Sequence, residues 1–220
     1  MNVLVIGDED NVNECRQKFG AGHNYIHEDS QYEARASFDQ CEVVFDFLGE
    51  PKTDQLEMYR GIHSPVFINT AKISLLQLNH KLDSPLPIHQ FGFSGLPTFL
   101  NREILEVSLH RSQHQETLNN ICRQLNTSYQ TVEDRVGLVT PRVICMIINE
   151  AYFTVQEGTA SRQDIDLAMK LGTHYPFGPF EWCQKIGIGH VYELLQVVYE
   201  NTRDERYRVC PLLKNEYLLL

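Results

Sequence analysis

Two short apolar runs, each followed by residues that could bind a ligand, are the first feature of the sequence with a chemical meaning. The first run, Val3–Ile6, is followed by Gly7. About 20 residues later the second run is followed by Glu28 and Asp29. In a dinucleotide-binding β-α-β unit a glycine turn approaches the diphosphate, and an acid after the second strand binds the ribose. The spacing therefore predicts a unit of this type, with Gly7 at its turn.

The turn itself lacks the rest of a glycine fingerprint. It reads GDEDNV and places Asp8, Glu9 and Asp10 where a diphosphate needs backbone N–H groups. At roughly 4 Å, each like-charge contact costs about 1 kcal/mol in water and about 4 kcal/mol at an effective dielectric constant near ~20. These acids predict a poor diphosphate site. Alternatively, they form an acidic helix N-terminus that complements the helix dipole.

Metal and disulfide patterns are weak. His110 and His114 have the i, i+4 spacing of a helical metal pair, but no third ligand is apparent, so we expect no metal. The six cysteines include no CxxC pair, which favours buried free thiols in a reducing compartment.

The elements that must position these residues differ between the two halves. Apolar runs alternate with helical stretches in the first half, which is typical of a parallel sheet with crossover helices. The predicted strands are Val3–Ile6, Asn24–His27, Glu42–Leu48, Val66–Ile68, Ile88–Phe93 and Leu105–Leu109. The polar segment Asn126–Asp134 is the predicted boundary, which gives domains 1–125 and 126–220.

The second half has the start and stop signals of helices. Thr140 and Pro141 precede an apolar body that ends at Gly158, which predicts a first helix. A capping box of Ser161 and Asp164, with a stop at Gly172, predicts a second. A third is indicated by an apolar stripe of Val191, Leu194, Leu195 and Val198. At least three helices are therefore expected to pack together.

Three motifs in this helical half are specific. They are NEAYFTVQEG at 149–158, ASRQDIDLAMKLGTHYPFGPFEW at 160–182 and IGIG at 186–189. They resemble the C-terminal domain of the 3-hydroxyacyl-CoA dehydrogenase family. The resemblance implies an α/β fold class, with a shortened Rossmann-like parallel-sheet domain followed by an all-α, 6-phosphogluconate-dehydrogenase-like C-terminal domain. It also implies a homodimer formed through the helical domain.

The same resemblance extends to the first half. GHNYIHED puts Asp29 at the family's ribose-binding acid, and INTAK puts Asn69 in its Asn-Thr-Ser-Ser turn. CEVVFDFLGE carries two acids, Asp46 and Glu50, and LEV holds Glu106 at the position of the catalytic Glu. Between the ribose acid and Asp46 the chain is too short for the strand and helical hairpin that, in the family, contacts CoA. Gly7, Asp29 and Asn69 are thus the implied cofactor-binding positions.

The sequence differs from the family at the positions that carry out the family's chemistry. Counting back from Glu106, the catalytic His position falls on Ser94, and a nearby Asn position falls on Pro97. The active-site Ser reads Ala71, and an Asn near the start of the long helix reads Pro141. A general base must titrate near neutral pH, which an imidazole does and a hydroxyl does not. The resemblance therefore implies weak or lost dehydrogenase activity, with NAD binding in doubt.

The charge balance limits the partners. With 19 Lys+Arg against 29 Asp+Glu, the formal charge is −10, and no basic cluster is present. Nucleic acid and anionic membranes are poor partners for such a surface. The longest apolar run, Val143–Ile148, is too short to span a bilayer, and the N-terminal sequence fits no targeting signal, so we expect a cytoplasmic protein.

Three hypotheses remain open at this stage. The first is a degenerate family member that binds an acyl-CoA-like ligand or a partner. The second is an active NAD-dependent 3-hydroxyacyl-CoA dehydrogenase in which His89 or another histidine near Glu106 has become the base. The third is a structural interaction protein whose helical half dimerises.

Overall fold

A sheet of seven strands is the centre of the first half of the chain. The computed structural model describes residues 1–49, 51–84, 86, 88–110 and 114–220. Among these residues the strands are β1 (Asn2–Ile6), β2 (Asn24–Glu28), β3 (Val43–Asp46), β4 (Val66–Asn69), β5 (Gln90–Phe93), β6 (Ile104–Leu109) and β7 (Ser128–Val132). The six predicted strands are thus confirmed, and β7 is an addition.

The sheet is mostly parallel. Its order is β2-β1-β3-β4-β5-β6-β7, and β5 with β6 is the antiparallel pair in this part of the chain. The apolar strands are buried because both faces are covered: Val3 and Val5 pack into one core cluster, Leu4 and Ile6 into the other. This arrangement confirms the Rossmann-like fold predicted from the sequence.

The sheet is also short at one edge. In the doubly wound order 3-2-1-4-5-6, a further strand lies beyond β2. Here β2 is the edge strand, and the chain returns to β3 through only a short helix, α2 (Gln31–Ala34), and a 3-10 helix (Arg35–Gln40). The predicted shortening between Asp29 and Asp46 is therefore present in the fold.

The sheet half contains four more short crossover elements besides α2. They are α1 (Glu9–Phe19), α3 (Thr53–Glu57) with a 3-10 turn at Met58–Gly61, α4 (Leu75–His80) and α5 (Gln115–Gln124). The chain divides into two compact units, Met1–Leu138 and Val139–Leu220. The division comes later than the predicted boundary after residue 125, because Ser128–Val132 pairs in parallel with β6 and extends the sheet.

The second unit is helical throughout its regular structure. It contains α6 (Thr140–Gln156), α7 (Arg162–Thr173), α8 (Pro179–Ile186), α9 (Ile188–Thr202), a 3-10 turn at Glu205–Tyr207 and α10 (Pro211–Tyr217). The predicted apolar stripe of α9 is buried, and Ser161 caps α7 by accepting from the Asp164 amide at 3.2 Å.

Two helix boundaries differ from the sequence predictions. Thr140 was expected to be an N-cap but is the first residue of α6, and Val139 takes the cap position. Gly172 was expected to end α7, but the helix continues to Thr173 and stops where His174 takes a left-handed conformation with φ +56°. No helix in the described ranges is both long and apolar enough to cross a bilayer.

Candidate functional site

The carboxyl ends of the parallel strands bring most of the predicted site residues to one edge of the sheet. Gly7 follows β1, Asp29 follows β2, Asn69 ends β4 and Ser94 follows β5. The strand order reverses between β1 and β3, and in open α/β sheets ligands bind outside the carboxyl ends of the strands at such a point. The candidate site is therefore this edge.

The first turn of α1 is closed by its own side chains. The Asp8 carboxylate accepts a hydrogen bond from the Asn11 amide at 2.9 Å, and Asn11 Oδ1 accepts from the Asp8 amide at 3.0 Å. Gly7 has φ +155°, and a Cβ on it would lie 2.2 Å from Asn11 Oδ1. The Asn11 side chain therefore occupies the space directly above the glycine turn.

His27 fills the next position along this edge. Its Nε2 lies 2.8 Å from the carbonyl oxygen of Gly7 and 3.4 Å from Asp29 Oδ1, and its Nδ1 lies 3.5 Å from Glu9 Oε1. The two carboxylates are largely exposed, whereas the imidazole is mostly covered. His27 is thus placed between the glycine turn and the ribose-type acid, a contact that the sequence alone did not reveal.

This geometry is a poor fit for the diphosphate of a dinucleotide. Such a group needs free N–H groups at the start of the helix and room to approach a glycine. Here the reciprocal cap of Asp8 and Asn11 uses two of those N–H groups, the amides of these two residues, and the acids of the loop add like charge. A bound dinucleotide would have to break the cap before its diphosphate could reach the backbone.

Asp46 is a buried carboxylate at the end of β3. It is fully buried and accepts hydrogen bonds from Tyr59 OH at 2.7 Å, Gln31 Nε2 at 3.0 Å and the Leu48 amide at 2.9 Å. Burial raises the pKa of Asp46 to about 6, and the three hydrogen bonds oppose that rise. The group joins α2 and the 3-10 turn to the sheet, and Glu50, the second predicted acid, lies outside the described residues.

Asn69 joins the ends of three strands. Its Nδ2 donates to the Phe47 carbonyl at 2.9 Å, and its Oδ1 accepts from the Gly95 amide at 3.0 Å and from the Ala71 amide at 3.2 Å. Gly95 is required here because a Cβ would lie 2.8 Å from the Asn69 Cγ. The side-chain amide of Asn69 thus fixes the backbone just after β3, β4 and β5.

The antiparallel pairing of β5 with β6 relates Ser94, which follows β5, to Glu106 of β6. Phe91 pairs with Leu109 and Gly92 with Ser108, and continuing this register places Ser94 opposite Glu106. Ser94 is only 5% exposed, and its Oγ has no hydrogen-bond partner among the described residues. The roles assigned to Ser94 and Glu106 from the family spacing stay predictions.

His89 is remote from this pair. It precedes β5, so five residues at about 3.3 Å each, or roughly 16 Å, separate it from Ser94 along the chain. Its ring packs edge-on against His114 with centroids 4.6 Å apart. Within the described ranges, no cluster of three or more His, Cys, Asp or Glu residues could hold a metal ion.

The loop between β5 and β6, residues 94–103, is fixed to α1. The Glu14 carboxylate accepts a hydrogen bond from the Asn101 amide at 3.3 Å, and burial raises the Glu14 pKa while hydrogen bonding to the loop backbone, Asn101 first, lowers it. Lys18 Nζ donates to the carbonyl of Glu103 at 3.1 Å. We call residues 94–103 the β5–β6 loop.

The β5–β6 loop also carries features that sequence reasoning missed. Thr98 has φ +75°, a left-handed conformation that is strained for a β-branched residue. Arg102 stacks its guanidinium over the Phe99 ring at 4.9 Å from Cζ to the centroid. No sequence signal identifies either feature, since both depend on contacts made after folding.

A groove of about 550 Å³ lies on the helical unit between α6, α7 and α8. The charged side chains that line it are partnered within the unit. Arg162 pairs with Glu216, Glu181 pairs with Lys170, and Asp166 accepts hydrogen bonds from the first backbone amides of α8. The groove therefore offers few free charged groups to a ligand.

Comparisons with known proteins agree with this fold. A sequence model of the 3-hydroxyacyl-CoA dehydrogenase C-terminal domain matches residues 137–218. A 3-hydroxybutyryl-CoA dehydrogenase of Bradyrhizobium diazoefficiens is 37% identical over 180 residues, which are 79% of this chain and 61% of the relative. A 3-hydroxyadipyl-CoA dehydrogenase of Escherichia coli is 43% identical over 88 residues, 40% of this chain and 18% of the relative.

Solved structures extend the likeness to both units. The crystal structure of an (S)-3-hydroxybutyryl-CoA dehydrogenase from Ralstonia eutropha superposes with a TM-score of 0.74 at 20% identity, covering 99% of this chain and 93% of that one. At this identity the likeness shows the fold alone. The chain spans less than two thirds of the length of the two curated relatives described above. The matched C-terminal domain and the sequence relatives support membership of the 3-hydroxyacyl-CoA dehydrogenase family, and both units share the fold of a solved structure of that family.

Proposed function

We propose that this chain binds an acyl-CoA-like ligand and has weak or lost NAD-dependent hydride transfer. The observation that carries the proposal is the reciprocal cap of Asp8 and Asn11 at the first turn of α1. It uses two of the N–H groups on which diphosphate binding at a helix N-terminus depends. The family relationship supports the ligand class, and the altered turn supports the loss of the cofactor.

The replaced base supports the same conclusion. Removing a general base reduces a rate by roughly 10²- to 10⁴-fold. We place Ser94 at the position of the family's His, and a hydroxyl does not take up a proton near neutral pH as an imidazole does. Ser94 and Glu106 remain our proposed site residues, as ligand-contacting groups.

The cofactor-binding positions are also engaged within the protein. The Gly7 carbonyl and Asp29 contact His27, and the Asn69 amide bonds the backbone of neighbouring segments. We infer that Gly7, Asp29 and Asn69 now stabilise the sheet edge. No reaction step is assigned to NAD.

We further propose that the helical unit mediates a homodimer. Helix α7 has no buried residue, although it carries Leu167, which is 54% exposed, and Leu171, which is 70% exposed. An amphipathic helix that leaves its apolar residues in water is typical of a surface that binds a partner. A second copy of the chain is the partner that the family resemblance implies.

Two other functions are the alternatives to this proposal. An active dehydrogenase would need a histidine close to Glu106, and His89, the candidate named for that role, lies at the opposite end of β5. A purely structural dimer would not need the unpartnered, buried hydroxyl of Ser94 at the sheet edge. Each alternative predicts a pattern of ligand binding that differs from that of the proposed function.

Isothermal titration calorimetry with acetoacetyl-CoA and NADH separates the three functions. We expect acetoacetyl-CoA to bind and NADH to bind at least tenfold more weakly than to an active relative measured beside it, a difference of about 1.4 kcal/mol. Tight binding of NADH would favour the active enzyme. Binding of neither compound would favour the structural dimer.

A further inference from the structure

Strand β2 has an unpaired outer edge. The Asn24 amide donates to the Met1 carbonyl at 3.0 Å, which fixes the side of β2 that bonds to β1. Because successive residues of a strand direct their N–H and C=O groups to opposite sides, those of Tyr25 and His27 point away from β1. These four backbone groups have no hydrogen-bond partner within the part of the chain that the structure describes.

Nothing in β2 itself discourages pairing at this edge. Natural sheets protect their edges with proline, lysine, a bulge or a covering segment. The sequence NYIHE contains neither proline nor lysine, and its register with β1 runs without a bulge. The Tyr25 hydroxyl donates to the Gly20 carbonyl at 2.7 Å, and Ser37 Oγ donates to the Glu28 carboxylate at 2.6 Å, so side chains hold the strand on both faces. The edge is therefore a preformed template for another strand.

Helix α1 carries a polar stripe beside this edge. Glu9, Asn13 and Arg16 recur at i, i+4 and i+7, which places them on one face of the helix. Glu9 Oε1 lies 3.5 Å from His27 Nδ1, and Arg16 Cζ lies over the Tyr25 ring, 5.7 Å from its centroid. The stripe thus runs along β2, with its acid at the carboxyl end of the strand and its cation at the amino end.

We propose that this edge pairs with the same edge of a second copy of the chain, β2 against β2, antiparallel about a two-fold axis through Ile26. The axis sets Tyr25 of one copy opposite His27 of the other, so four hydrogen bonds satisfy the unpaired groups of both copies. It also sets Glu9 of one copy toward Arg16 of the other, on the same face of the joined sheet. This charge complementarity favours a second copy over an unrelated strand.

The helices fit this pairing. Helix α1 packs against both β1 and β2. Neighbouring strands lie about 4.8 Å apart, so the α1 helices of the two copies are separated by two strand spacings, or about 10 Å. That separation is within the range of packed helices, roughly 8–10 Å between axes. The polar stripes of the two helices therefore face each other across the axis instead of clashing.

We expect the association to be weak. One strand edge and one helix face belong to the class of small interfaces, below about 1,200 Å². The formal charge of −10 on each copy also opposes association. The interface is independent of the acyl-CoA proposal and of α7. Dimers should form at the protein concentration of an NMR sample and dissociate on the dilution of gel filtration.

Sedimentation velocity and ¹⁵N NMR of the Leu171→Asp chain test the proposal, because this variant removes the contact expected at α7. The sedimentation coefficient should rise with concentration toward that of a dimer. Hydrogen exchange of the Tyr25 and His27 amides should slow about threefold or more over the same range, whereas that of Ile26, which faces β1, should stay constant. A chain that sediments as a monomer at every concentration would overturn the proposal.

Tyr25→Pro and Tyr25→Ala, each in the Leu171→Asp chain, are the matched variants. Both remove the tyrosine side chain, but only proline removes the outward N–H, and an edge strand tolerates proline where the N–H faces solvent. Association should weaken about tenfold or more in Tyr25→Pro relative to Tyr25→Ala, because two of the four hydrogen bonds are lost. Equal association of the two variants would rule out pairing through the backbone.

A charge exchange replaces the proline variant if circular dichroism shows that it does not fold. Arg16→Glu should weaken association, and adding Glu9→Arg should restore it, because the pair re-forms across the axis with its charges reversed. No weakening, or no restoration, would contradict the two-fold arrangement. A monomer whose Tyr25 and His27 amides are protected only by a synthetic peptide of alternating lysine and valine would assign the edge to a strand of another protein and overturn the second copy.

Discussion

Asp8 and Asn11 cap each other at the first turn of α1, with N···O distances of 2.9 and 3.0 Å. The pair therefore affects both the stability of the helix and the binding of a diphosphate. The hydrogen bonds that begin the helix are the ones that a diphosphate would otherwise make. A change at this pair is therefore expected to alter stability and nucleotide affinity in opposite directions.

Asp8→Ala tests this coupling. Loss of an N-cap side chain should lower the free energy of unfolding by about 1 kcal/mol, measured by urea denaturation. The affinity for NADH should rise, because a negative charge is removed and backbone N–H groups become free. Asp10→Ala removes a charge from the same loop but leaves the cap, so it should change stability less. A fall in NADH affinity in Asp8→Ala would contradict the account.

Asp46 should make the stability of the protein depend on pH. Its pKa in the folded state, about 6, lies above the ordinary value of 3.8. The stabilising contribution is therefore fully present below the unfolded pKa and is lost as the pH rises through 6. Between pH 4 and pH 7.5, roughly 3 kcal/mol of the unfolding free energy is expected to be lost at most.

Asp46→Asn checks this expectation by chemical denaturation at several pH values. The variant keeps the shape of the side chain and removes the titration, so the difference between wild type and variant should shrink as the pH rises. Asp39→Asn, at an exposed aspartate that precedes β3, is the control and should follow the wild type at every pH. A wild type whose advantage over the variant grows with pH would show that Asp46 has a lowered pKa.

Glu14 should hold the β5–β6 loop in place. Glu14→Ala removes the acceptor of the Asn101 amide, which should cost about 1 kcal/mol of unfolding free energy. Hydrogen exchange of the Asn101 amide should become faster in the variant. Glu133→Ala, at an exposed site, should leave both measurements unchanged. Unchanged exchange in Glu14→Ala would mean that the loop is fixed by other contacts.

The exposed apolar residues of α7 should stabilise the dimer. Leu171→Asp places a charge in the expected interface, so light scattering after gel filtration should show monomers where the wild type shows dimers. Leu76→Asp is a matched control, since Leu76 is 61% exposed but belongs to the sheet unit. A wild-type monomer, or a dimer that both variants retain, would rule out this interface.

The sequence predicts the fold well where burial is continuous. β1 and β3 are apolar on both faces, so their runs identify them as parallel strands. β7 was missed because SYQTV is short and largely polar, and it forms a strand only by pairing with β6 at the sheet edge. The polar composition that suggested a domain boundary is that of a half-exposed edge strand.

The site was predicted less completely. Continued past the end of β5, the register of β5 and β6 sets Ser94 opposite Glu106, and the roles assigned to the two residues from the family spacing stay predictions. The bonds of Glu14 to the loop and of His27 to Gly7 join segments far apart in the chain. Nothing in local composition predicts such contacts, so they had to be found in the structure.

The most direct test of the central claim is NADH consumption with acetoacetyl-CoA at high protein concentration. Glu106→Ala, run beside the wild type, controls for contaminating activity. We expect no turnover above that of the variant, because on our proposal Ser94 replaces the base and the cap of Asp8 and Asn11 engages the diphosphate turn. Wild-type turnover that disappears in Glu106→Ala would show an active dehydrogenase and would contradict this account of the site.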